Sequence, residues 1–296
     1  MPTRPRIMNL HLLRIFAAVV EQKSFSRAAE VQGVSQPAVS KAVRELEDQL
    51  QVVLLERGGR SFRPSEAGQM LYKYARGIFA MERAAIEAVQ AYSELERGGL
   101  TIGASTTIAA WWLPKYIAEF SRQHPLINIR LLSGNTKQVA QWLLDCDVDV
   151  ALVEGSIEDE RLEIRPWRRE RMLLVAAAGS FPAGRKPLAA ELSSWLWLLR
   201  EPGSGSRSVV EAEMRRLGIQ AARTLEAGSN EIIVQMAAAG LGLGLVPEAA
   251  AADAIALGRV QSIEIAEGEI LRDLYRLRLP RRPVSQGALA FEALIG

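Results

Sequence analysis

One cysteine, Cys146, and two histidines, His11 and His124, stand in a chain of 296 residues. A single thiol cannot close an internal disulfide, and three such ligands, far apart, do not make a Cys/His zinc cluster, so no metal or other cofactor is expected. No stretch reaches the roughly 18 uninterrupted apolar residues of a membrane-spanning helix. The opening Met-Pro-Thr-Arg-Pro-Arg-Ile7 also lacks the apolar run of a secretory signal. The expected location is the cytoplasm, with no membrane partner.

Catalytic patterns are scarce too. There is no Gly-x-Ser-x-Gly elbow and neither histidine sits in a nucleophile–base setting, so an enzyme is not expected. Gly240-Leu-Gly-Leu-Gly-Leu-Val-Pro247 lacks the third glycine spacing of a dinucleotide fingerprint and reads as a helix stop and buried strand. Asp145, Asp147 and Asp149 are spaced like a calcium loop, but Val150 replaces its glycine and Ser156 its closing glutamate; they read as strand-end carboxylates.

What is present begins with bulk. Hydrophobic residues make up 49% of the chain, ample for a core, and the length is that of about two domains. The net charge of +2 is unevenly spread: residues 1–65 hold ten Lys/Arg against six Asp/Glu, and residues 66–296 hold 26 against 28. A basic excess confined to the N-terminal segment fits a nucleic-acid-binding module.

That segment reads as three helices. Leu10, Leu13, Phe16, Ala17 and Val20 set the first. Ser24 to Glu47 then reads as two helices about a tight turn: Ala28 and Ala29 permit close crossing, Gly33 suits the turn, and Ser35 can cap the second of the two. In that last helix Val39, Ala42, Val43, Leu46 and Leu50 form an inward face, with Pro37 in the first turn. Ser35, Gln36, Pro37, Ser40, Lys41 and Arg44 lie on or beside the opposite face, which a major groove accommodates. Arg27 is a further phosphate-contact candidate. Val52 to Ser65 reads as two short strands about Gly58-Gly59, a wing presenting Arg57, Arg60 and Arg63.

Met8-Asn-Leu, Phe25-Ser-Arg-Ala-Ala, Val34-Ser-Gln-Pro-Ala-Val-Ser, Leu46-Glu and Leu55-Glu-Arg together resemble LysR-type transcriptional regulators. The chain departs from the family pattern at Gln32, usually apolar, at Gln51, usually Gly, and at Leu55, usually Phe. The resemblance implies a winged helix-turn-helix at 1–65, a linker helix at 66–97 and a two-lobed α/β effector domain at 98–296, similar to periplasmic solute-binding proteins. It implies lobe I near 98–164 and 265–296 and lobe II near 165–264, with crossings near Glu163–Pro166 and Ser262–Ala266. As partners it implies double-stranded DNA carrying an interrupted dyad, a small-molecule effector, and RNA polymerase.

The linker supports this organisation on its own pattern. Leu71, Tyr74, Ile78, Met81, Ala85, Ala88 and Tyr92 alternate three- and four-residue steps, a heptad seam suited to a partner helix. In the resembled family that helix pairs two subunits, and effector-domain contacts join dimers into a homotetramer. Arg97-Gly98-Gly99 ends it.

Beyond it, strands at Leu100–Ala104, Ile127–Leu132 and Val148–Val153 alternate with helices near Thr106–Gln123 and Thr136–Leu144. A second set, from Met172–Ala177 through Leu241–Val246, is followed by Ile270–Leu279 and a helix near Val284–Leu294. This alternation is α/β with a parallel sheet.

Three strand-to-helix junctions carry small polar residues: Ser105-Thr106-Thr107, Gly203-Ser204-Gly205-Ser206-Arg207 and Gly228-Ser229-Asn230-Glu231. Each alone reads as a helix cap. Together on one cleft they suit an anion, with glycines allowing close approach and Arg207 supplying a charged fork. Arg200 to Arg207 resembles the corresponding loop of carbon-fixation regulators, which usually have Thr where Ser206 stands. The expected effector is a small phosphorylated or carboxylated metabolite or an inorganic sulfur oxyanion. A solute-binding module or an enzyme using the same cleft are the other readings of the C-terminal two-thirds.

Overall fold

The computed structural model describes residues 8–58, 61–90, 98–182, 184–265, 268–280 and 282–296. The chain divides into two units, Met1–Ile86 and Glu87–Gly296.

In the first unit α1 (Leu10–Gln22), α2 (Phe25–Gln32) and α3 (Gln36–Leu50) start at capped N-termini: Asn9, Ser24 and Ser35 accept from the backbone of His11, Arg27 and Ala38. Gly33, at φ +65°, turns α2 into α3. Leu13, Phe16, Val19, Ala28, Val39, Val43 and Leu46 are buried together, as their spacing requires. Leu55 is also buried there, so it fills the place of the family's Phe. Gln51 closes α3 at φ +57°, a conformation a β-carbon disfavours, which explains why glycine is usual at this position.

The wing pairs β1 (Leu55–Gly58) with β2 (Ser61–Pro64) antiparallel. Glu47 of α3 tethers it, accepting from Leu54 N at 2.8 Å and Leu55 N at 3.1 Å. Arg60 and the side chain of Arg57 lie outside the described residues.

Helix α4 spans Glu66–Gln90. Its expected seam separates into two stripes. Leu71 and Ile78 turn inward with Ala75 and Phe79 against the three-helix core, whereas Tyr74 and Met81 are 69% and 54% exposed. The three-residue offset from Leu71 to Tyr74 carries one residue about 60° around the helix from the other, enough to divide them between faces. Tyr92 and Arg97 and the side chain of Ala88 lie outside the described residues.

The second unit is built on one nine-stranded sheet. One lobe carries β3 (Gly98–Ser105), β4 (Ile127–Gly134) and β5 (Val150–Glu154), all parallel, with α5 (Leu113–Gln123) and α6 (Thr136–Leu144). The other carries β7 (Leu196–Arg200), β8 (Arg223–Ala227) and β9 (Leu243–Pro247), also parallel, with α8 (Gly205–Leu217), α9 (Asn230–Ala238) and α10 (Glu248–Ala256). The short α7 (Ala189–Ser193) precedes β7 and α11 (Gln286–Ile295) ends the chain.

Two antiparallel strands, β6 (Glu163–Ala177) and β11 (Ile270–Arg278), join the lobes. β11 pairs with β5 over Leu274–Leu277, β6 with β9 over Met172–Val175, and β10 (Val260–Ile263) with the end of β6. The passage therefore lies in mid-strand, between Arg168 and Met172 on β6 and between Ile270 and Leu274 on β11. That corrects the expected crossings. Glu163–Pro166 still pairs with Tyr275–Arg278 on the first lobe's side, Ser262 and Ile263 belong to β10, and Ala266 lies outside the described residues. The charged run Glu163–Arg171 belongs to a strand with exposed residues along much of its length. Among the described residues no helix is long and apolar enough to cross a membrane.

Candidate functional site

On the first unit Gln36, Pro37, Lys41 and Arg44 stand exposed along α3, Ser40 is half-buried, and Arg27 is exposed on α2. Gln36 Nε2 donates to Ser40 Oγ at 3.2 Å. Arg63 of the wing pairs with Glu56 at 2.8 Å, but Arg27, Lys41 and Arg44 have no ion pair among the described residues. Three unpaired cations on two helices are available to phosphate oxygens.

The three polar junctions of the second unit do meet between the lobes, though in two different roles. Thr107, Ser206 and Asn230 are entirely buried and bonded to one another. Asn230 Nδ2 donates to Thr107 Oγ1 at 2.8 Å and to Ser206 Oγ at 3.2 Å. Ser206 Oγ also accepts from Arg272 Nη1 at 2.6 Å and donates to Glu154 Oε1 at 3.2 Å. One donor and two acceptor sites exhaust a hydroxyl, so Ser206 has nothing left for a ligand. Arg272 in turn pairs with Glu170, whose other oxygen accepts from Trp112 Nε1 at 3.0 Å. These residues clamp the lobes to each other and to the crossing strands.

Gly205 belongs to the same clamp. The sequence suggests that its freedom serves ligand approach, but a β-carbon there would stand 1.8 Å from the Glu154 carbonyl oxygen. Gly205 N donates to Thr136 Oγ1 at 3.2 Å, and Thr136 Oγ1 to Glu154 O at 2.9 Å. What the missing side chain admits is the backbone of the other lobe.

Arg207 does not reach Ser105 or Thr106. Its Nε donates to Glu211 at 2.7 Å, and its Nη1 to Arg200 O at 2.9 Å and Glu226 at 3.1 Å. The bond it donates to Glu211 raises its pKa further above the ordinary guanidinium value. With Gly203, Ser204 and Thr136 it lines a cavity of about 710 Å³ bounded by α6, the 156–161 segment and α8. Ser229 caps α9 by accepting from Ile232 N at 3.2 Å.

The cation that does face the opposite lobe is Arg200, at the end of β7 and 2% exposed. Its Nη1 donates to Thr106 Oγ1 across the cleft at 3.2 Å. Its Nε and Nη2 hold both oxygens of Glu201, at 2.8 and 3.0 Å, and Asn135 Nδ2 donates to the same carboxylate at 3.2 Å. Burial alone would raise the Glu201 carboxyl, but the bonds from Arg200, its own backbone and Asn135 hold it below the ordinary range. Ser105 Oγ and Ser204 Oγ are buried with no hydrogen-bond partner among the described residues. At the rim, Trp111 Nε1 donates to Glu231 at 3.0 Å.

Comparison with known proteins bears on both units. Residues 10–69 match the model of the bacterial regulatory helix-turn-helix protein, lysR family, and residues 93–296 that of the LysR substrate binding domain. The chain belongs to the LysR family of transcriptional regulators. The regulator is 32% identical to the HTH-type transcriptional regulator CysL of Bacillus subtilis, over 81% of this chain and 80% of that one. It is also 32% identical, over 96% of each chain, to the probable RuBisCO transcriptional regulator of Cyanidioschyzon merolae, in keeping with the loop resemblance. Among solved structures, the regulatory domain of Synechocystis PCC6803 CcmR in complex with 2-PG superposes with a TM-score of 0.62 at 25% identity, covering 67% of this chain and 96% of that domain.

Proposed function

We propose that the regulator reads an interrupted dyad in double-stranded DNA as a homodimer, assembled further into a tetramer, and that a small anion seated between its lobes resets that binding. The division of labour is 1–65 for DNA, 66–97 for pairing and 98–296 for the effector, in the cytoplasm, with RNA polymerase as the downstream partner. Arg27, Ser35, Gln36, Pro37, Ser40, Lys41 and Arg44, with Arg57, Arg60 and Arg63 of the wing, are the candidate contacts to the duplex. The exposed stripe of Tyr74 and Met81 pairs subunits.

One observation carries the effector reading: a buried guanidinium, Arg200, projects from one lobe to a hydroxyl of the other, Thr106, at 3.2 Å. An anion there touches both lobes and favours their closed arrangement. Ser105, Thr106 and Asn135 on one side and Arg200 and Ser204 on the other are the donors; Thr107, Ser206, Asn230 and Ser229 hold the frame, and Gly203 and Arg207 border the adjoining cavity. The 2-PG complex of the CcmR domain supports an anionic effector.

Calorimetry on the full chain with 2-PG, inorganic phosphate and sulfate tests this. Arg200→Gln is expected to weaken the best of these at least tenfold, since a charged hydrogen bond contributes about 1.5–3 kcal/mol. Unchanged affinity would move the site elsewhere.

A further inference from the structure

Arg200 is not simply available between the lobes; two of its three nitrogens are occupied by the next residue in the chain. Both oxygens of Glu201 sit on Nε and Nη2 at 2.8 and 3.0 Å, Asn135 of the other lobe completes the shell at 3.2 Å, and Thr106 takes Nη1. The arrangement is that of a carboxylate bound in an anion site, with the carboxylate supplied by the protein. Glu201 keeps 23% of its side chain exposed while Arg200 keeps 2%, so the acid has an open route to solvent and the cation does not.

From this we infer that Glu201 is a tethered competitor for the effector seat, and that it selects multiply charged oxyanions over monocarboxylates. This rests on the proposed seat at Arg200 and adds the class of ligand and what excludes the rest. A group tethered within one residue acts at an effective concentration of millimolar or more. A free monocarboxylate offers Arg200 the same two oxygens and the same charge as Glu201, without the tether, and loses. A sulfate, phosphate or phosphate monoester carries more negative charge and at least one further oxygen. Thr106 stands at the seat to bind that oxygen, and its chain neighbour Ser105 carries a buried hydroxyl with no partner among the described residues. Displaced, Glu201 swings to the solvent it already touches.

Thermal unfolding of the full chain in sodium sulfate, sodium acetate and sodium chloride at matched ionic strength reads this directly, because an anion that binds the folded state raises Tm. The wild type is expected to gain Tm in sulfate relative to chloride and nothing in acetate. Glu201→Gln is expected to gain in both, with sulfate midpoints shifted to concentrations at least fivefold lower; Glu201→Ala serves as the second variant should the first unfold. Acetate stabilising wild type and Glu201→Gln alike would overturn the inference, as would neither anion stabilising the variant. The two readings fail separately. If Glu201→Gln gains nothing while Arg200→Gln abolishes the sulfate effect, the seat stands and the competitor falls; if sulfate stabilises Arg200→Gln as well as wild type, the seat itself falls.

Discussion

Gly205 lies against Glu154 so closely that a β-carbon would come within 1.8 Å of the Glu154 carbonyl oxygen and within 2.6 Å of Thr136 Oγ1. The contact joins the start of α8 in one lobe to the end of β5 in the other, and backbone cannot move aside as a flexible side chain does. Closure of the lobes therefore depends on a residue without a side chain at 205. Gly205→Ala is expected to prop them apart, destabilising the effector domain by roughly 1–3 kcal/mol and weakening anion binding. Thermal unfolding and calorimetry check the two effects. Retention of wild-type Tm and affinity would show that the lobes do not need this contact.

The two stripes of α4 give opposite expectations for two similar substitutions. Ile78 is partly buried against the three-helix core, so Ile78→Glu sets a carboxylate on an apolar contact and is expected to destabilise the DNA-binding unit. Met81 is 54% exposed, so Met81→Glu leaves the fold intact and is expected to halve the molecular mass of the paired form in light scattering. An unchanged mass in Met81→Glu would place the subunit contact elsewhere.

Gln51 sits at φ +57°. Gln51→Gly relieves the left-handed strain and is expected to raise the urea midpoint of the DNA-binding unit, a gain of about 0.5–1 kcal/mol after glycine's extra unfolded freedom is deducted. A loss of stability would mean that the bond from Gln51 Nε2 to Asp48 O, at 2.7 Å, outweighs the backbone strain.

The DNA-binding unit is legible in the sequence because what builds it is local. Helical spacing of Val39, Val43 and Leu46, caps three residues ahead of their donors and a turn glycine are all set within a few positions, and all recur in the structure. The effector site is legible only as a neighbourhood. Arg200 and Glu201 stand in the same strand-to-helix run as Arg207, but the sequence favours Arg207 because a cation at a helix start suits an anion; Glu211 and Glu226 in fact claim it. The partner that matters, Thr106, lies 94 positions from Arg200, a pairing set by how the lobes close.

Arg272 and Glu170 escape sequence reasoning for another reason, and they leave a signal. Each takes an inward slot in a strand whose neighbouring inward slots, Ile270 and Leu274 or Met172, are apolar. A lone charge on the buried side of an alternating strand needs a partner, and these two are each other's. Helix α10 escapes because six of the nine residues of Glu248–Ala256 are alanine, which leaves little contrast between faces.

The most direct measurement is DNA affinity with and without a saturating anion, on an operator selected from random duplexes, for wild type and Arg200→Gln. Sulfate and 2-PG are the probes. The expected result is a change in wild-type Kd of roughly 5- to 150-fold, the usual range of coupling between two sites, and a ratio close to one in Arg200→Gln. An equal change in both proteins, or none in the wild type with any anion that calorimetry shows to bind, would contradict an anion at Arg200 as the control of DNA binding.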